Sequence, residues 1–244
     1  KPERSTLLGS GTFYFALTSL RWVKRMILAG LIVLPAAWPA AAWGQARHPV
    51  SGRVIAGVMG VAGAPWLERA EREREENPRK AVKLLGLKPG MVAADVGAGS
   101  GYYTYLLSRE VGPQGKVYAN DIQPGMLRLL ERKLASRKIT NVELVQGTET
   151  DPRLPDACCD LILMVDVYHE FAEPQTMLRA MRKSLKPGGR LVLLEYRRED
   201  PSVPIREEHK MSVAEARLEL EHEGYKFDRV LNDLPWQHIL IFQP

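Results

Sequence analysis

The chain has 244 residues, of which 45% are hydrophobic and 26% charged, and this suits one globular α/β domain of about 200 residues with a leader. The formal net charge of +5 comes entirely from residues 1–47, which hold six basic residues and one acid, whereas the remaining chain has 28 of each sign. This balance argues against the basic face that a nucleic acid requires, so no nucleic-acid partner is expected.

Residues 1–47 have the composition of a leader. A basic segment precedes an apolar run and an alanine-rich stretch, and its basic residues are Arg21, Lys24 and Arg25. This order predicts a secretory signal peptide, with Met26 as a candidate start and export to the periplasm as the consequence. The alternative is an uncleaved membrane anchor, which Pro35 and Pro39 disfavour because they interrupt a spanning helix. If the leader is an artefact of the start site, the protein is cytoplasmic.

Residues 48–90 are predicted to form a helical segment ahead of the main domain. Alternating acids and bases over residues 65–76 indicate a solvated helix. Asn77 and Pro78 then have the order of an N-cap and a first helical residue, and they predict a second helix that runs to Leu85.

The main domain is organised around residues 91–121. A short apolar strand ends in Asp95, and a turn rich in glycine leads into an amphipathic helix. A second apolar strand then ends in Asp121. Such a βαβ unit holds a nucleotide-like ligand, and the acid at the tip of the second strand can accept both hydroxyls of a ribose.

The glycine spacing differs from the dinucleotide pattern G-x-G-x-x-G. The order Asp95-x-Gly97-x-Gly99-x-Gly101 resembles motif I of the class I S-adenosylmethionine-dependent methyltransferases. The cationic sulfonium of S-adenosylmethionine favours a nearby carboxylate such as Asp95, whereas the pyrophosphate of a dinucleotide favours a bare helix N-terminus. The string WLERAEREREENP at residues 66–78 is also similar to uncharacterised bacterial predicted methyltransferases, and in that family such a segment often covers the cofactor cleft as a lid.

The resemblance implies that the cofactor is S-adenosyl-L-methionine, with its methionine end at the glycine turn and its ribose on Asp121. The implied cofactor-binding residues are Asp95, Gly97, Ala98, Gly99, Ser100, Gly101, Asp121, Ile122, Met126, Thr148, Glu149 and Asp166. Thr148 stands where the family often has an acid that contacts adenine, so adenine recognition would fall to Glu149, Asp151 or a backbone carbonyl.

The next elements are a helix over residues 124–137, a third strand over 142–146 and a fourth over 159–165. The fourth strand leads into Tyr168, His169 and Glu170, which we expect beside the sulfonium because ligands bind beyond the carboxyl ends of parallel strands. These three are the catalytic candidates. His169 has the chemistry of a general base, and Glu170 could orient it or bind a cation. The alternative is an ordinary polar turn at the start of a helix.

Cys158 and Cys159 are adjacent, and in a strand they would point to opposite faces without forming a bridge. The chain has no zinc spacing of cysteine or histidine, and no metal is predicted from the sequence.

The C-terminal third completes the expected sheet. The turn at residues 186–189 and the fifth strand at 190–195 resemble another hallmark of the family. Glu195 ends that strand, where it could shape an acceptor pocket or cap the strand, and residues 199–211 form a polar loop with His209 as a lesser candidate. A capped helix from Ser212 to His222 precedes two strands joined by a short loop, over residues 225–231 and 236–242, which must be antiparallel.

The sequence therefore predicts a leader (1–47), a helical lid segment (48–90) and one class I methyltransferase domain (91–244). The resemblance implies a Rossmann-like α/β fold with a seven-stranded, mostly parallel sheet in the order 3-2-1-4-5-7-6, a C-terminal antiparallel hairpin and helices on both faces. The expected function is methyl transfer to a small-molecule acceptor. The alternatives are a non-catalytic sensor that binds the cofactor and a nicotinamide-dependent oxidoreductase, which the glycine spacing disfavours.

Overall fold

A computed structural model of the chain describes residues 45–244. The predicted apolar leader and its candidate start at Met26 lie outside the described residues. None of the helices within residues 45–244 has the length and apolar content that a bilayer span requires.

The described residues form a central eight-stranded sheet flanked by helices. The strands are β1 (Val92–Val96), β2 (Lys116–Asp121), β3 (Val142–Gln146), β4 (Cys159–Val165), β5 (Leu185–Arg197), β6 (Lys210–Met211), β7 (Lys226–Leu231) and β8 (Gln237–Gln243). The helices are α1 (Ala64–Leu67), α2 (Arg72–Glu75), α3 (Pro78–Leu84), α4 (Tyr102–Val111), α5 (Pro124–Ser136), α6 (Pro174–Ser184) and α7 (Val213–His222). Short 3-10 turns lie at Val61–Gly63, Tyr168–Glu170 and Glu207–His209.

The strand order is β3-β2-β1-β4-β5-β8-β7. Strands β1 to β5 are parallel, and β8 runs antiparallel to both β5 and β7. This confirms the predicted fold class and order. The sequence did not predict β6, which pairs in parallel with the end of β5 through Tyr196 and Lys210.

Helices cover both faces of the sheet. Helices α3 and α4 pack on the face that carries Ala93 and Val117, and α5 packs beside them on Ala119. Helices α6 and α7 pack on the opposite face, against Ala94 and Ile162. The central strands are apolar on both sides, as parallel strands covered on both faces must be.

The predicted solvated helix over residues 65–76 is wrong in two respects. The structure has two short helices there, α1 and α2, and it buries the side chains of Arg72 (5% exposed) and Glu76 (0% exposed). Arg72 Nε lies 2.5 Å from Glu76 Oε2, and the guanidinium also lies over the rings of Tyr102 and Tyr103. Burial is tolerated because the two opposite charges pair.

The expected geometry of the adjacent cysteines is also wrong. Strand β4 begins at Cys159, so Cys158 precedes the strand and the alternation of faces does not apply. Both are free thiols, and their sulfur atoms lie 3.0 Å apart. The turn predicted at residues 186–189 is included in β5 as an irregularity, which shifts the register between Cys159 and Leu161.

Candidate active site

A cavity of about 550 Å³ opens at the carboxyl ends of the parallel strands. The ends of β1, β2 and β4 contribute Val96, Asp121 and Val165 to its wall. Strands β1 and β4 are neighbours, and the chain order reverses between them. Such a switch point is where open α/β sheets bind ligands.

The glycine turn after β1 forms one wall of this cavity. Gly97 and Gly99 both have positive φ, of 76° and 54°. A Cβ added to Gly97 would lie 2.4 Å from Val167 Cγ2, closer than carbon atoms approach. The turn therefore requires glycine at residue 97 for two independent reasons, its backbone conformation and its proximity to the chain that follows β4.

Asp121 holds the turn to the end of β2. The backbone N–H of Gly99 donates to Asp121 Oδ2 at 2.9 Å, and that of Gln123 donates to Oδ1 at 2.8 Å. Burial raises the pKa of this carboxyl above its usual value. Each oxygen keeps a second lone pair for a ligand. Ile122 and Met126 line the cavity next to Asp121.

Asp95, Ala98 and Ser100 line a smaller adjoining cavity of about 40 Å³. The Thr104 hydroxyl donates to Asp95 Oδ2 at 2.6 Å. Burial is the main cause that raises the pKa of Asp95 to about 6. Arg72 lines both cavities and brings a positive charge to the side chains around Asp95.

Asp166 follows β4 and lines the larger cavity with an unusual backbone conformation, φ 50°. The Gln237 amide donates to Asp166 Oδ2 at 2.7 Å, whereas Oδ1 is buried and has no hydrogen-bond partner among the described residues. Burial, followed by the charges of Glu76 and Glu195, raises the pKa of Asp166 well above its usual value. A cationic group bound in the cavity would stabilise the ionised form of this carboxyl.

Thr148 and Glu149, at the end of β3, also line the cavity, whereas Asp151 does not. The prediction that Gly101 belongs to the cofactor site is not supported by its position. A Cβ on Gly101 would lie 2.1 Å from Leu130 Cδ1, so this glycine allows α4 to approach α5. It borders neither cavity.

His169 also lines the larger cavity, and this residue is 1% exposed. Its Nδ1 atom is 2.6 Å from Glu195 Oε2, and its Nε2 atom is 3.1 Å from His209 Nδ1. Glu195 therefore orients the ring, which is one of the two roles that the sequence left open for Glu170. Glu170 lines the cavity beside His169, and burial raises its pKa to about 7.

The structure places Tyr168 away from the cavity. Its ring is fully buried in the apolar cluster beneath α6, in edge contact with Phe171. Its hydroxyl lies 3.4 Å from His48 Nε2, on the side of the N-terminal segment. The expectation that Tyr168 reaches the reacting centre is therefore corrected: His169 lines the cavity, whereas Tyr168 packs in the core.

A family model described as a methyltransferase domain matches residues 87–235. The chain belongs to this methyltransferase family. The crystal structure of a SAM-dependent methyltransferase from Aquifex aeolicus is similar to it, with 31% identity, a TM-score of 0.72, and a match that covers 76% of this chain and 98% of that one. The predicted resemblance to class I S-adenosylmethionine-dependent methyltransferases is confirmed.

Two curated methyltransferases are similar over a shorter stretch. A demethylmenaquinone methyltransferase of Geobacillus sp. (strain WCH70) is 32% identical over 114 residues, which cover 47% of this chain and 49% of the relative. A ubiquinone/menaquinone biosynthesis C-methyltransferase of Shewanella oneidensis is 34% identical over 119 residues, which cover 48% and 47%. The chain thus spans about half the length of the curated relatives it matches.

Two features of this methyltransferase site were missed or underrated from sequence. Arg72 was assigned to a solvated helix, although it lies within the string at residues 66–78 that resembles other methyltransferases, and that resemblance was the available signal. The contact between His169 and His209 joins residues 40 positions apart, and no local spacing indicates it.

Proposed function

We propose that this methyltransferase transfers the methyl group of S-adenosylmethionine to a small-molecule acceptor bound at the His169 end of the cavity. One observation carries the proposal: a single cavity joins the glycine turn and Asp121 to His169, Glu170 and His209. The cofactor, when bound, supplies a methyl group on a positively charged sulfur. All other steps depend on how this chain's residues bind and orient the two reactants.

The cofactor end of the cavity fits a ligand with a cationic centre, a carboxylate and a ribose. The free lone pairs of Asp121 suit two ribose hydroxyls, since its backbone contacts use one acceptor site on each oxygen. Asp95 and the unpartnered Oδ1 of Asp166 suit the positive groups. Arg72 donates from Nε to Glu76 and from Nη1 to the Leu67 carbonyl, which leaves Nη2 for the ligand carboxylate.

The acceptor end combines apolar walls with a small polar cluster. Phe171, Pro204 and Ile205 line it, and they favour a compact acceptor with an apolar body. Holding donor and acceptor in line is worth roughly 7–11 kcal/mol of the barrier. For an acceptor that carries a hydroxyl or thiol, His169 with its Nε2 free is the chain's group for removing the proton.

The binding experiment is calorimetry of the full chain with S-adenosylmethionine, with its demethylated product and with NAD. We expect binding of the first two and no comparable affinity for NAD. Tight NAD binding without binding of S-adenosylmethionine would refute the proposal.

The acceptor class requires a second experiment. One curated relative is named a demethylmenaquinone methyltransferase and the other a ubiquinone/menaquinone biosynthesis C-methyltransferase, and a quinone or phenol is therefore the first class to screen. Labelled cofactor is incubated with the full chain and with quinone, phenol, thiol and metalloid acceptors. Label transferred to one class identifies the acceptor. Cofactor binding without transfer to any class would favour a non-catalytic role.

A further inference from the structure

The acceptor end of the cavity brings together three side chains that have the chemistry of metal ligands. His169, Glu170 and His209 each offer one ligand atom, and these atoms lie within 4.8 Å of one another. All three residues line the cavity, His169 is buried, and the other two are half-buried. We propose that this cluster is a binding site for one divalent transition-metal ion of the Zn²⁺ class, held by His169 Nε2, His209 Nδ1 and a Glu170 carboxylate oxygen.

The contact between Glu195 and His169 supports this proposal independently of the cluster itself. Glu195 is fully buried on β5, and its Oε2 atom accepts from His169 Nδ1 at 2.6 Å. Its Oε1 atom accepts from the backbone N–H of Tyr168 at 3.1 Å, which fixes the carboxylate. With the proton held on Nδ1, the lone pair of Nε2 faces the cavity. A histidine that binds a metal almost always donates its other ring N–H to such a group.

The spacing of the two imidazoles agrees with a shared ion. Their facing nitrogens, His169 Nε2 and His209 Nδ1, lie 3.1 Å apart. Ligand atoms at 2.0–2.1 Å from a tetrahedral Zn²⁺ are roughly 3.3 Å apart. Small movements of the side chains would admit the ion. The alternative is a plain hydrogen bond between the two rings, which would not bind a metal ion in a titration.

The fold holds His209 in place through the short strand β6. His209 ends the 3-10 turn Glu207–His209, and the next residue, Lys210, begins β6. Lys210 pairs with Tyr196 on β5, directly after Glu195. The two-residue strand thus fixes His209 in register with the glutamate that orients His169. This gives the unpredicted strand β6 a role.

Two imidazoles and one carboxylate favour Zn²⁺, Fe²⁺ or Mn²⁺ over Mg²⁺, and they leave coordination positions open toward the cavity. The following step rests on the proposed function. An acceptor hydroxyl or thiol beside the ion loses its proton to solvent, because a divalent cation stabilises the resulting anion. A lone pair of that anion forms the bond to the methyl carbon as the bond from carbon to the sulfonium sulfur breaks, which leaves a neutral thioether. The inferred acceptor class is therefore a small molecule with an ionisable oxygen or sulfur.

The test is titration of the full chain, without an affinity tag and stripped by EDTA, with Co²⁺ as a visible-absorbing probe and Zn²⁺ as the competitor. We expect one saturable Co²⁺ per chain, displaced by Zn²⁺. His209→Ala should remove this binding. Glu195→Gln should weaken it about 10- to 100-fold, because the histidine loses its fixed orientation. His222→Ala removes an exposed histidine that does not line the cavity, and it should bind as the unmodified chain does.

Circular dichroism shows which variants are folded. If His169→Ala does not fold, His209→Ala decides the matter, because His209 is half-buried at a surface turn. Absence of saturable Co²⁺ binding by the unmodified chain would overturn the proposal, and so would equal binding by folded His209→Ala.

Calorimetry of the metal-free chain with S-adenosylmethionine is run in parallel. Cofactor binding without Co²⁺ binding refutes only the metal site, whereas Co²⁺ binding without cofactor binding refutes only the proposed function.

Discussion

The Asp121 carboxylate serves the backbone and, in our proposal, the ribose of the cofactor. Replacing one of its oxygens by an NH₂ group, in Asp121→Asn, places a donor where hydroxyls and backbone N–H groups need an acceptor. Hydrogen bonds to a charged group contribute about 1.5–3 kcal/mol, so we expect the dissociation constant for S-adenosylmethionine to rise at least about tenfold.

Calorimetry measures this change. Asp156→Asn is the matched control, because Asp156 is exposed and does not line the cavity. A folded Asp121→Asn variant with an unchanged dissociation constant would remove Asp121 from the cofactor site.

For Asp95, we expect the ionised form to lower the stability of the fold and to favour cofactor binding. Its pKa is raised from 3.8 to about 6 by burial, against the opposing effects of Thr104 and Arg72. The folded state therefore binds this proton more tightly than the unfolded chain does, and the free energy of unfolding falls as pH rises from about 4 to about 6. Ionisation of Asp95 therefore lowers the free energy of unfolding of the cofactor-free protein by about 3 kcal/mol.

The corresponding variant is Asp95→Asn. Without cofactor at pH 7, we expect it to be more stable than the unmodified chain by up to about 3 kcal/mol, with the advantage vanishing below pH 4. Its affinity for S-adenosylmethionine should be weaker, because the site loses a negative charge. Urea unfolding at several pH values measures the first effect. A stability difference that does not change with pH would show that Asp95 does not titrate as described.

At the scale of elements, the junction of α4 with α5 depends on Gly101. Its φ is 81°, and an added Cβ would meet the fully buried Leu130. Gly86, after α3, also has positive φ (62°) but has open space around a Cβ. Gly86→Ala should therefore cost about 1–2 kcal/mol for the left-handed backbone alone.

Gly101→Ala carries the same backbone cost and adds overpacking of about 1–3 kcal/mol, since Leu130 cannot shift without disturbing α5. We expect it to be the less stable of the two variants in urea unfolding. Equal free energies of unfolding would mean that α4 and α5 separate easily at this junction.

At the scale of the whole molecule, the contacts that join the N-terminal segment to the domain begin close to the end of the predicted leader. Arg47 forms an isolated antiparallel β-bridge with Val54. Arg53 donates from Nε to the buried Glu219 on α7 at 2.8 Å. The leader itself lies outside the described residues and stays a prediction. We propose that a chain made from Met26 in a bacterial host is exported and cleaved between Ala42 and Ala46.

N-terminal sequencing of the mature protein, with fractionation of the cells, measures this. Cleavage before Arg47 would leave the ion pair of Arg53 with Glu219 intact. Recovery of an uncut Met26 in the cytoplasmic fraction would refute export, and recovery in washed membranes would indicate an anchor.

The alternation and spacing of residues predicted most strands and helices of the main domain, and the resemblance to class I methyltransferases implied the order of the strands. The apolar strands at 142–146 and 159–165 have the predicted bounds, and the capping box of Ser212 with Glu215 begins α7 as expected. Gly97, Gly99 and Asp121 line the larger cavity, and their role in cofactor binding stays a prediction. These features are local: a strand, a cap or a turn is determined by residues that are neighbours in the chain.

The geometry around His169, which forms the proposed acceptor end of the cavity, was decided only by tertiary structure. Sequence pointed to His169 and offered Glu170 either to orient it or to bind a cation, whereas the sheet register brings Glu195 and the 3-10 turn before β6 brings His209. Likewise, the charged pattern around Arg72 predicts an exposed helix, and burial became possible only because Glu76 pairs with it and aromatic rings cover it. The aromatic cover of Arg72 and the contacts of His169 with Glu195 and His209 join residues between 26 and 40 positions apart, and no local pattern specifies those partners.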